Sequence, residues 1–111
     1  MKVMIAGSRS IESIDISAYI PTNTDLIISG GAKGIDSIAE QYADRHSISK
    51  LILRPDWSKY GKAAPLVRNK LMVDLADLII IVWDGRSNGT KYTLNYANKS
   101  KKPVKLITEE T

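Results

Sequence analysis

Two glycine-rich turns of this chain have the residue types and positions that suit phosphate binding. The first turn, residues 29–36, follows the apolar residues 26–28, and a segment with helical spacing comes after it. The second turn, residues 84–90, follows the apolar run Leu78–Trp83. A helix that begins at such a turn directs free N–H groups and the positive end of its dipole at one point. If both turns lie at the same edge of one sheet, they predict a pocket for a phosphorylated ligand.

Charged and aromatic side chains near these turns supply the remaining candidate contacts. Arg9 and Arg68 are the candidate cations, because a guanidinium can chelate two phosphate oxygens. Asp36 is a candidate acceptor for ribose hydroxyls, and Trp57 offers a stacking surface for a base. The complete set of predicted ligand-binding residues is Gly7, Ser8, Arg9, Gly30, Gly31, Gly34, Asp36, Trp57, Arg68, Asn69, Asp84, Ser87, Gly89 and Thr90.

A purely structural explanation competes at several of these positions. Glycines suit turns whatever their function, and Asp84 is equally a turn former. Asp36 would stabilise the dipole of its helix, and Ser87 and Thr90 can cap the next one. For Arg68 the alternative is a surface salt bridge. For the loop aromatics the alternative is packing onto the core, which is favoured for Tyr60.

Several kinds of chemistry are absent from the sequence. The chain has no cysteine, which excludes disulfides, thiolate metal sites and thiol catalysis. His46 is the single histidine, and a catalytic or metal role for it is disfavoured. Neither G-x-x-x-x-G-K-[ST] nor G-x-G-x-x-G occurs, so a P-loop NTPase and a classical dinucleotide fold are disfavoured. No catalytic residue and no metal site is predicted.

Length and composition are those of a small globular domain. The chain has 111 residues, 43% of them apolar and 25% charged, which suits a single domain spanning residues 1–111. Its net charge of +4 suits an anionic partner, either a nucleotide or a nucleic acid. The lysines near the C-terminus are more simply a solvated surface. The apolar stretch at residues 3–6 is too short for a signal peptide, and Leu78–Trp83 is too short to span a bilayer. We therefore expect a cytoplasmic protein without membrane contact.

The elements that must position these residues alternate between strand and helix. Strands are predicted over residues 2–6, 25–29, 50–53, 78–83 and 103–107, and helices over residues 34–46, from about residue 65, and over residues 90–100. Val67, Leu71 and Leu75 lie along one face of the middle helix. Residues 10–20 fit a strand as well as a helix, and a short helix is favoured.

This alternation predicts an α/β fold with a Rossmann-like, doubly wound parallel sheet and helices on both faces. We expect about five strands in the order 3-2-1-4-5. Ligands bind such sheets outside the carboxyl ends of the strands, where the winding reverses direction. With this order the turns at residues 7–9, 30–36 and 84–90 meet in one crevice.

Five sequence blocks together resemble the YspA-like branch of the SLOG superfamily, named for the Smf/DprA and Lonely Guy proteins. The blocks are residues 7–9, 29–36, 57–63, 68–69 and 83–90, and the resemblance covers roughly residues 2–107. It implies a Rossmann-like fold with a pocket for nucleotides. The ligand it implies is NAD, ADP-ribose, AMP or a related adenine nucleotide, which the protein would sense or sequester. Because relatives often pair through helices, it also implies a homodimer.

More distant relatives suggest two alternative functions. DprA proteins bind single-stranded DNA, whereas Lonely Guy enzymes are phosphoribohydrolases that cleave ribose 5′-phosphate from an adenine nucleotide. The Lonely Guy pattern P-G-G-x-G-T-x-x-E places its glutamate where this chain has Thr93. Cleavage of an N-glycosidic bond needs a carboxylate, and threonine is a poor replacement for it. Asp36 or Asp84 could supply a carboxylate from another turn, although nothing in their spacing requires it. The residues therefore favour a binding protein over an enzyme, and nucleic-acid binding ranks last.

Overall fold

Five strands form one parallel sheet in the computed structural model of this chain, which describes residues 1–109. The strands are β1 (Lys2–Gly7), β2 (Leu26–Ser29), β3 (Ser49–Ile52), β4 (Leu78–Trp83) and β5 (Val104–Thr108). The helices are α1 (Ile35–Arg45), α2 (Trp57–Tyr60), α3 (Ala64–Leu75) and α4 (Asn88–Lys99), with short 3₁₀ turns at Ser17–Tyr19 and Gly61–Ala63. The predicted strand and main helix boundaries agree with these to within two residues.

The strand order β3-β2-β1-β4-β5 confirms the predicted topology. β4 lies between β1 and β5, and it is buried from Leu78 to Val82 because helices cover this part of the sheet on both faces. At the carboxyl ends of the central strands, Gly7 pairs with Val82. The winding reverses direction between β1 and β4, which is where ligands bind such sheets.

Helices cover both faces of the sheet, as predicted. Successive residues of a strand point to opposite faces, so Val3 and Ile5 join one core cluster whereas Met4 joins the other. The first face carries α1, whose buried apolar residues are Ile35, Ala39 and Ala43. The second face carries α3 and α4, whose buried apolar residues include Met72, Val73 and Ala97.

The helix expected over residues 10–20 is wrong. This segment is irregular except for the 3₁₀ turn Ser17–Tyr19, although Ile11, Ile16 and Ile20 are buried against the α1 side of the sheet. The Asp15 carboxylate accepts hydrogen bonds from the Ser17 N–H (3.0 Å) and Ser17 Oγ (2.6 Å). Such a local turn competes with the helical hydrogen-bond ladder, which explains why the helix does not form.

The apolar face predicted for the middle helix does not point at the core. Leu71 is 53% exposed and Leu75 is 43% exposed. The buried stripe of α3 instead contains Ala64, Arg68 and Met72, at the spacing of one helical face. Because a charged arginine occupies the centre of the inward face, hydrophobic spacing alone does not indicate that this face is buried.

None of the helices in residues 1–109 is long and apolar enough to cross a membrane.

Candidate functional site

Three turns at the carboxyl ends of β1, β2 and β4 surround one cavity of about 450 Å³. A volume of this size falls within the range typical of small-molecule sites. The cavity is lined by ten predicted residues, namely Gly7, Ser8, Arg9, Asp36, Arg68, Asn69, Asp84, Ser87, Gly89 and Thr90. The glycine-rich turns at residues 29–36 and 84–90 therefore share one hollow with the turn after β1. We call this hollow the main cavity.

A second cavity of about 400 Å³ adjoins the main cavity. Its lining includes Trp57 and Gly31 of the predicted set, together with Lys33 and Pro55. Arg9, Ala32 and Arg68 line both cavities. The two hollows are therefore neighbouring compartments with arginine side chains at their junction, and we call the second one the side cavity.

Two of the predicted glycines line neither cavity. A Cβ on Gly30 would lie 2.5 Å from Arg68 Nη1 and 2.9 Å from Asp36 Oδ2, so this glycine makes room for both side chains. Gly34 has a φ of +77°, and a Cβ there would lie 2.7 Å from backbone atoms of Ser8 and Arg9. Gly34 thus lets α1 begin in contact with the turn after β1. Both glycines therefore allow close packing around the cavities without lining them.

The guanidinium of Arg68 is the most unusual charged group in the site. Arg68 is only 8% exposed, and its Nη1 donates hydrogen bonds to the backbone oxygens of Gly30 (2.6 Å) and Leu53 (3.1 Å). Its Nε donates to Asn69 Oδ1 at 2.7 Å. Among residues 1–109 no acceptor is found for Nη2, yet no buried side-chain nitrogen or oxygen there lacks a partner. Nη2 must therefore be accessible from the cavities that Arg68 lines.

Among residues 1–109 the charge of Arg68 also lacks an ion-pair partner. Within the described part of the chain no carboxylate oxygen lies within 4.0 Å of its nitrogens. The surface salt bridge considered from the sequence is therefore wrong. Burial lowers the pKa of Arg68, and the more distant Asp36 carboxylate opposes this effect. A buried cation without a carboxylate is unfavourable in isolation, and a bound anion would compensate it.

The turn after β4 is held together by Asp84. Its Oδ1 accepts hydrogen bonds from the N–H groups of Arg86 (2.8 Å) and Ser87 (2.9 Å), and its Oδ2 accepts one from Ser10 Oγ (2.7 Å). These hydrogen bonds lower the pKa of Asp84 well below its usual range. Asp84 therefore does stabilise the turn. Its hydrogen bonds occupy two backbone N–H groups that would otherwise be available to a ligand.

The free donors of this turn belong to the first turn of α4. Asn88, Gly89 and Thr90 are the first three helical residues, and within residues 1–109 no acceptor is found for their N–H groups. Gly89 and Thr90 line the main cavity. The N-terminus of α4 and the guanidinium of Arg68 therefore border the same hollow. Together they form a suitable site for an anion.

Ser8 joins the turns after β1 and β4. It is buried, and its Oγ accepts a hydrogen bond from the Asp84 N–H at 3.0 Å and lies 2.9 Å from Ser87 Oγ. Ser87 occupies the N-cap position of α4, but its side chain makes no capping hydrogen bond. Helix capping by Ser87 is thus wrong. Its hydroxyl instead bonds to Ser8 and Asp84, and these bonds assemble one wall of the cavity before any ligand arrives.

Asp36 presents a buried carboxyl to the main cavity from the first turn of α1. It is 7% exposed, and its Oδ2 accepts a hydrogen bond from the Ala32 N–H at 3.1 Å. Burial raises the pKa of Asp36, although the Ala32 hydrogen bond and the charge of Arg68 act in the opposite direction. The carboxyl is suited to accept a hydrogen bond from a ligand hydroxyl.

The raised pKa of Asp36 predicts a specific pH dependence. Because the folded state favours the protonated carboxyl, this group stabilises the fold at low pH and loses that contribution as pH rises above its ordinary value of 3.8. For Asp36→Asn, we expect the free energy of unfolding relative to wild type to increase between a pH below 3.8 and neutral pH. Urea denaturation across this range measures it. Asp84→Asn should show the opposite trend, because the pKa of Asp84 is lowered. A relative stability of Asp36→Asn that falls as pH rises would contradict the raised pKa.

Thr93 is a lining residue that the sequence analysis did not include in the site. It is 2% exposed on α4, and its Oγ1 donates a hydrogen bond to the Gly89 backbone oxygen at 3.1 Å. Thr93 Oγ1 in turn accepts a hydrogen bond from Asn69 Nδ2 at 2.8 Å. The only sequence signal was its alignment with the Lonely Guy glutamate, which pointed to a missing carboxylate rather than to a role. The other unpredicted lining residues are Ala6, Ser10, Ala32, Pro65, Leu66, Met72 and Ile81.

The aromatic residues after β3 lie at the surface. Trp57 is 57% exposed at the start of α2 and lines the side cavity. Asp56 Oδ1 caps this short helix by accepting hydrogen bonds from the Lys59 N–H (3.2 Å) and Ser58 Oγ (2.7 Å). Tyr60 is 39% exposed, so the core packing favoured for it is wrong. Of the two aromatics, Trp57 is the one placed to contact a ligand.

Two of the C-terminal lysines have structural roles. Lys102 Nζ donates hydrogen bonds to the backbone oxygens of Asp74 (3.2 Å) and Ala76 (2.9 Å) at the C-terminal end of α3, and Lys105 Nζ donates to Tyr19 O (2.9 Å). These contacts explain part of the basic cluster without a nucleic acid. In residues 1–109 no group of three or more histidine, aspartate or glutamate side chains is placed to hold a metal ion.

Comparisons with known proteins identify relatives of this chain. The model of the YspA, cpYpsA-related SLOG family matches residues 1–60, which include the turns after β1 and β2 and the residue Trp57. The Gene 61 protein of Mycobacterium phage D29 is 34% identical over 85 residues, which cover 71% of this chain and 68% of the phage protein. No solved structure matches the chain.

Proposed function

Because the chain belongs to the YspA, cpYpsA-related SLOG family, we propose that it binds a nucleotide-derived ligand in the main and side cavities and thereby senses or sequesters it. The ligand class is that of NAD, ADP-ribose, AMP and related adenine nucleotides. Its phosphate oxygens would lie between Arg68, Arg9 and the N-terminus of α4.

The observation that carries this proposal is the state of Arg68. Its charge is buried and has no carboxylate within 4.0 Å in the described residues, and its Nη2 is left without a protein acceptor. A phosphate would supply both the compensating charge and the missing acceptor. The free N–H groups at the start of α4 border the same cavity and favour the same kind of ligand.

The arrangement of the two cavities favours a ligand with two parts joined by a diphosphate. Arg9 and Arg68 line both cavities, so a diphosphate at their junction would place one part of the ligand on each side. A base in the side cavity would stack on Trp57, and a ribose in the main cavity would donate a hydrogen bond to Asp36. ADP-ribose and NAD have this form, whereas AMP would fill one compartment.

Isothermal titration calorimetry with ADP-ribose, NAD, AMP and adenosine tests the proposal. We expect ADP-ribose or NAD to bind more tightly than AMP, and AMP more tightly than adenosine, which has no phosphate for Arg68. The absence of heat with every nucleotide at millimolar concentration would contradict the proposal, as would equal affinity for AMP and adenosine. Chromatography of the mixtures distinguishes a binding protein from a phosphoribohydrolase, because release of free base would show that the glycosidic bond is cleaved.

Trp57→Ala is expected to lower the affinity for ADP-ribose by about tenfold, which corresponds to the loss of one base-stacking contact. Calorimetry of the variant measures the effect. Tyr60→Ala is the matched control, because Tyr60 is exposed on the same short helix but lines neither cavity. Similar losses for the two variants would mean that the base does not stack on Trp57.

A further inference from the structure

We propose that Thr93 and Asn69 are positioning residues that hold the Arg68 guanidinium in the orientation that receives the anion. This inference rests on the proposed function, because it concerns how the same site is prepared for its ligand. It assigns a role to Thr93, the residue that stands where a hydrolase of the Lonely Guy type would need a carboxylate.

The three side chains form an unbroken line of hydrogen bonds between two helices. It begins at the Gly89 backbone oxygen on α4, which accepts from Thr93 Oγ1 at 3.1 Å. Thr93 Oγ1 accepts from Asn69 Nδ2 on α3 at 2.8 Å, and Asn69 Oδ1 accepts from Arg68 Nε at 2.7 Å. Thr93 is 2% exposed, so water has little access to compete for its bonds.

The direction of every bond in this line is determined by its two ends. A backbone carbonyl can only accept, so the Thr93 hydroxyl must donate its one proton to Gly89. Thr93 is then left with lone pairs alone and must accept from the amide nitrogen of Asn69. The amide oxygen of Asn69 consequently faces Arg68, whose Nε–H can only donate. A rotated Asn69 amide would place two donors against each other at Arg68, and the hydroxyl of Thr93 prevents this.

These hydrogen bonds fix the orientation of the guanidinium at two of its three nitrogens. Asn69 fixes Nε, and the backbone oxygens of Gly30 and Leu53 fix Nη1, which leaves Nη2 as the group that faces the cavities. The line also joins Arg68 to the first turn of α4, whose free N–H groups border the same hollow. The Arg68 guanidinium and the N-terminus of α4 are therefore held in fixed positions relative to each other. Less conformational entropy is then lost when a ligand binds.

Thr93→Val removes both hydrogen bonds of the hydroxyl while it retains the side-chain shape, and Thr93→Ser retains the hydroxyl. We expect Thr93→Val to lower the affinity for ADP-ribose by about tenfold, with a much smaller effect on adenosine, and Thr93→Ser to restore it to within about threefold. Thr24→Val is the matched control. Thr24 is also buried and donates one hydrogen bond, to the Pro21 backbone oxygen, but it lies outside both cavities.

A measurement on the free protein separates this inference from the proposed function. In NMR spectra we expect the Arg68 Nε–H proton to exchange with water slowly in the wild type and in Thr93→Ser, and several times faster in Thr93→Val. Unchanged exchange in Thr93→Val would overturn the positioning role whatever the ligand. Faster exchange with unchanged ADP-ribose affinity would overturn it as well, because the orientation of Arg68 would then not matter for binding. If the wild-type protein binds none of the nucleotides, the failure lies with the proposed function, and the inference falls with it.

Discussion

Replacing Arg68 with methionine is expected to lower the affinity for ADP-ribose by about a hundredfold while the fold remains intact. A hydrogen bond to a charged group contributes about 1.5–3 kcal/mol, and Arg68 is a buried cation at the junction of the two cavities. Calorimetry with ADP-ribose measures the loss. An affinity within threefold of wild type would contradict the proposed phosphate contact.

The stability of the free protein is expected to change only moderately, because two effects of Arg68→Met oppose each other. The backbone oxygens of Gly30 and Leu53 lose their hydrogen bonds to Nη1, and each carbonyl left without a partner costs about 1–3 kcal/mol. The variant also removes a buried charge that has no carboxylate beside it, and desolvation of such a charge costs several kcal/mol. We therefore expect the free energy of unfolding, measured in urea without ligand, to change by no more than about 2 kcal/mol.

Arg54→Met is the control for this prediction. Arg54 is exposed, donates a hydrogen bond to the Gly31 backbone oxygen at 3.2 Å and lines neither cavity. Its replacement removes the same charge at almost the same place. If Arg54→Met weakened binding as much as Arg68→Met, the effect would come from the general positive potential of the surface rather than from a specific contact.

Arg68 also shows why only part of the site could be predicted from the sequence. The alternation of elements predicts a parallel sheet, the wholly apolar β4 indicates a central strand, and the order 3-2-1-4-5 is the one that brings the three turns together. This order is confirmed. The inward face of α3 could not be predicted in the same way. Hydrophobic spacing pointed to Leu71 and Leu75, whereas the buried face carries an arginine. Its hydrogen bonds go to backbone oxygens in the turn after β2 and the segment after β3, and to Asn69 Oδ1.

The turn after β4 shows a second limit of sequence reasoning. Its glycines correctly marked a turn at the edge of the sheet, but the sequence could not show which donors remain free. Asp84 occupies the N–H groups of Arg86 and Ser87, so the available donors lie one to three residues further along, at the start of α4. Which donors remain free depends on the side-chain conformation of Asp84, and residue type alone does not determine that conformation.

The line from Thr93 to Arg68 could not be predicted for a related reason. Asn69 and Thr93 are 24 positions apart in the chain, and they meet only because α3 and α4 pack side by side on one face of the sheet. Neither residue type indicates a partner. A resemblance to proteins with a glutamate at the position of Thr93 draws attention to the absent carboxylate and away from the hydroxyl that replaces it.

Gly7→Ala is expected to destabilise the protein by at least about 3 kcal/mol, the upper range for overpacking a core, and to abolish ligand binding. A Cβ at this position would overlap the backbone oxygen of Val82 and would lie 2.6 Å from Cγ1 of Ile35. The oxygen of Val82 cannot easily move, because it accepts the hydrogen bond from the Ser8 N–H at 3.0 Å that begins the turn after β1. Relief of the overlap would separate β1 from β4 or displace α1, and either movement opens the main cavity.

Gly89→Ala is the matched comparison, because it tests whether glycine as such is required at the site. Gly89 also lines the main cavity, but a Cβ there would meet nothing within 4 Å and its φ is ordinary for any residue. In the first turn of α4 alanine should be neutral or stabilising by up to about 1 kcal/mol, since it has the higher helix propensity.

Urea denaturation of both variants gives the two free energies of unfolding. Equal stability of the two variants would mean that the β1–β4 edge tolerates a side chain, and the site would then not depend on close approach at Gly7. The φ of Gly7 is one that any residue can adopt, so backbone conformation does not require glycine there. A loss of stability for Gly7→Ala but not for Gly89→Ala would therefore mean that Gly7 is needed because β1, β4 and α1 leave no room for a side chain.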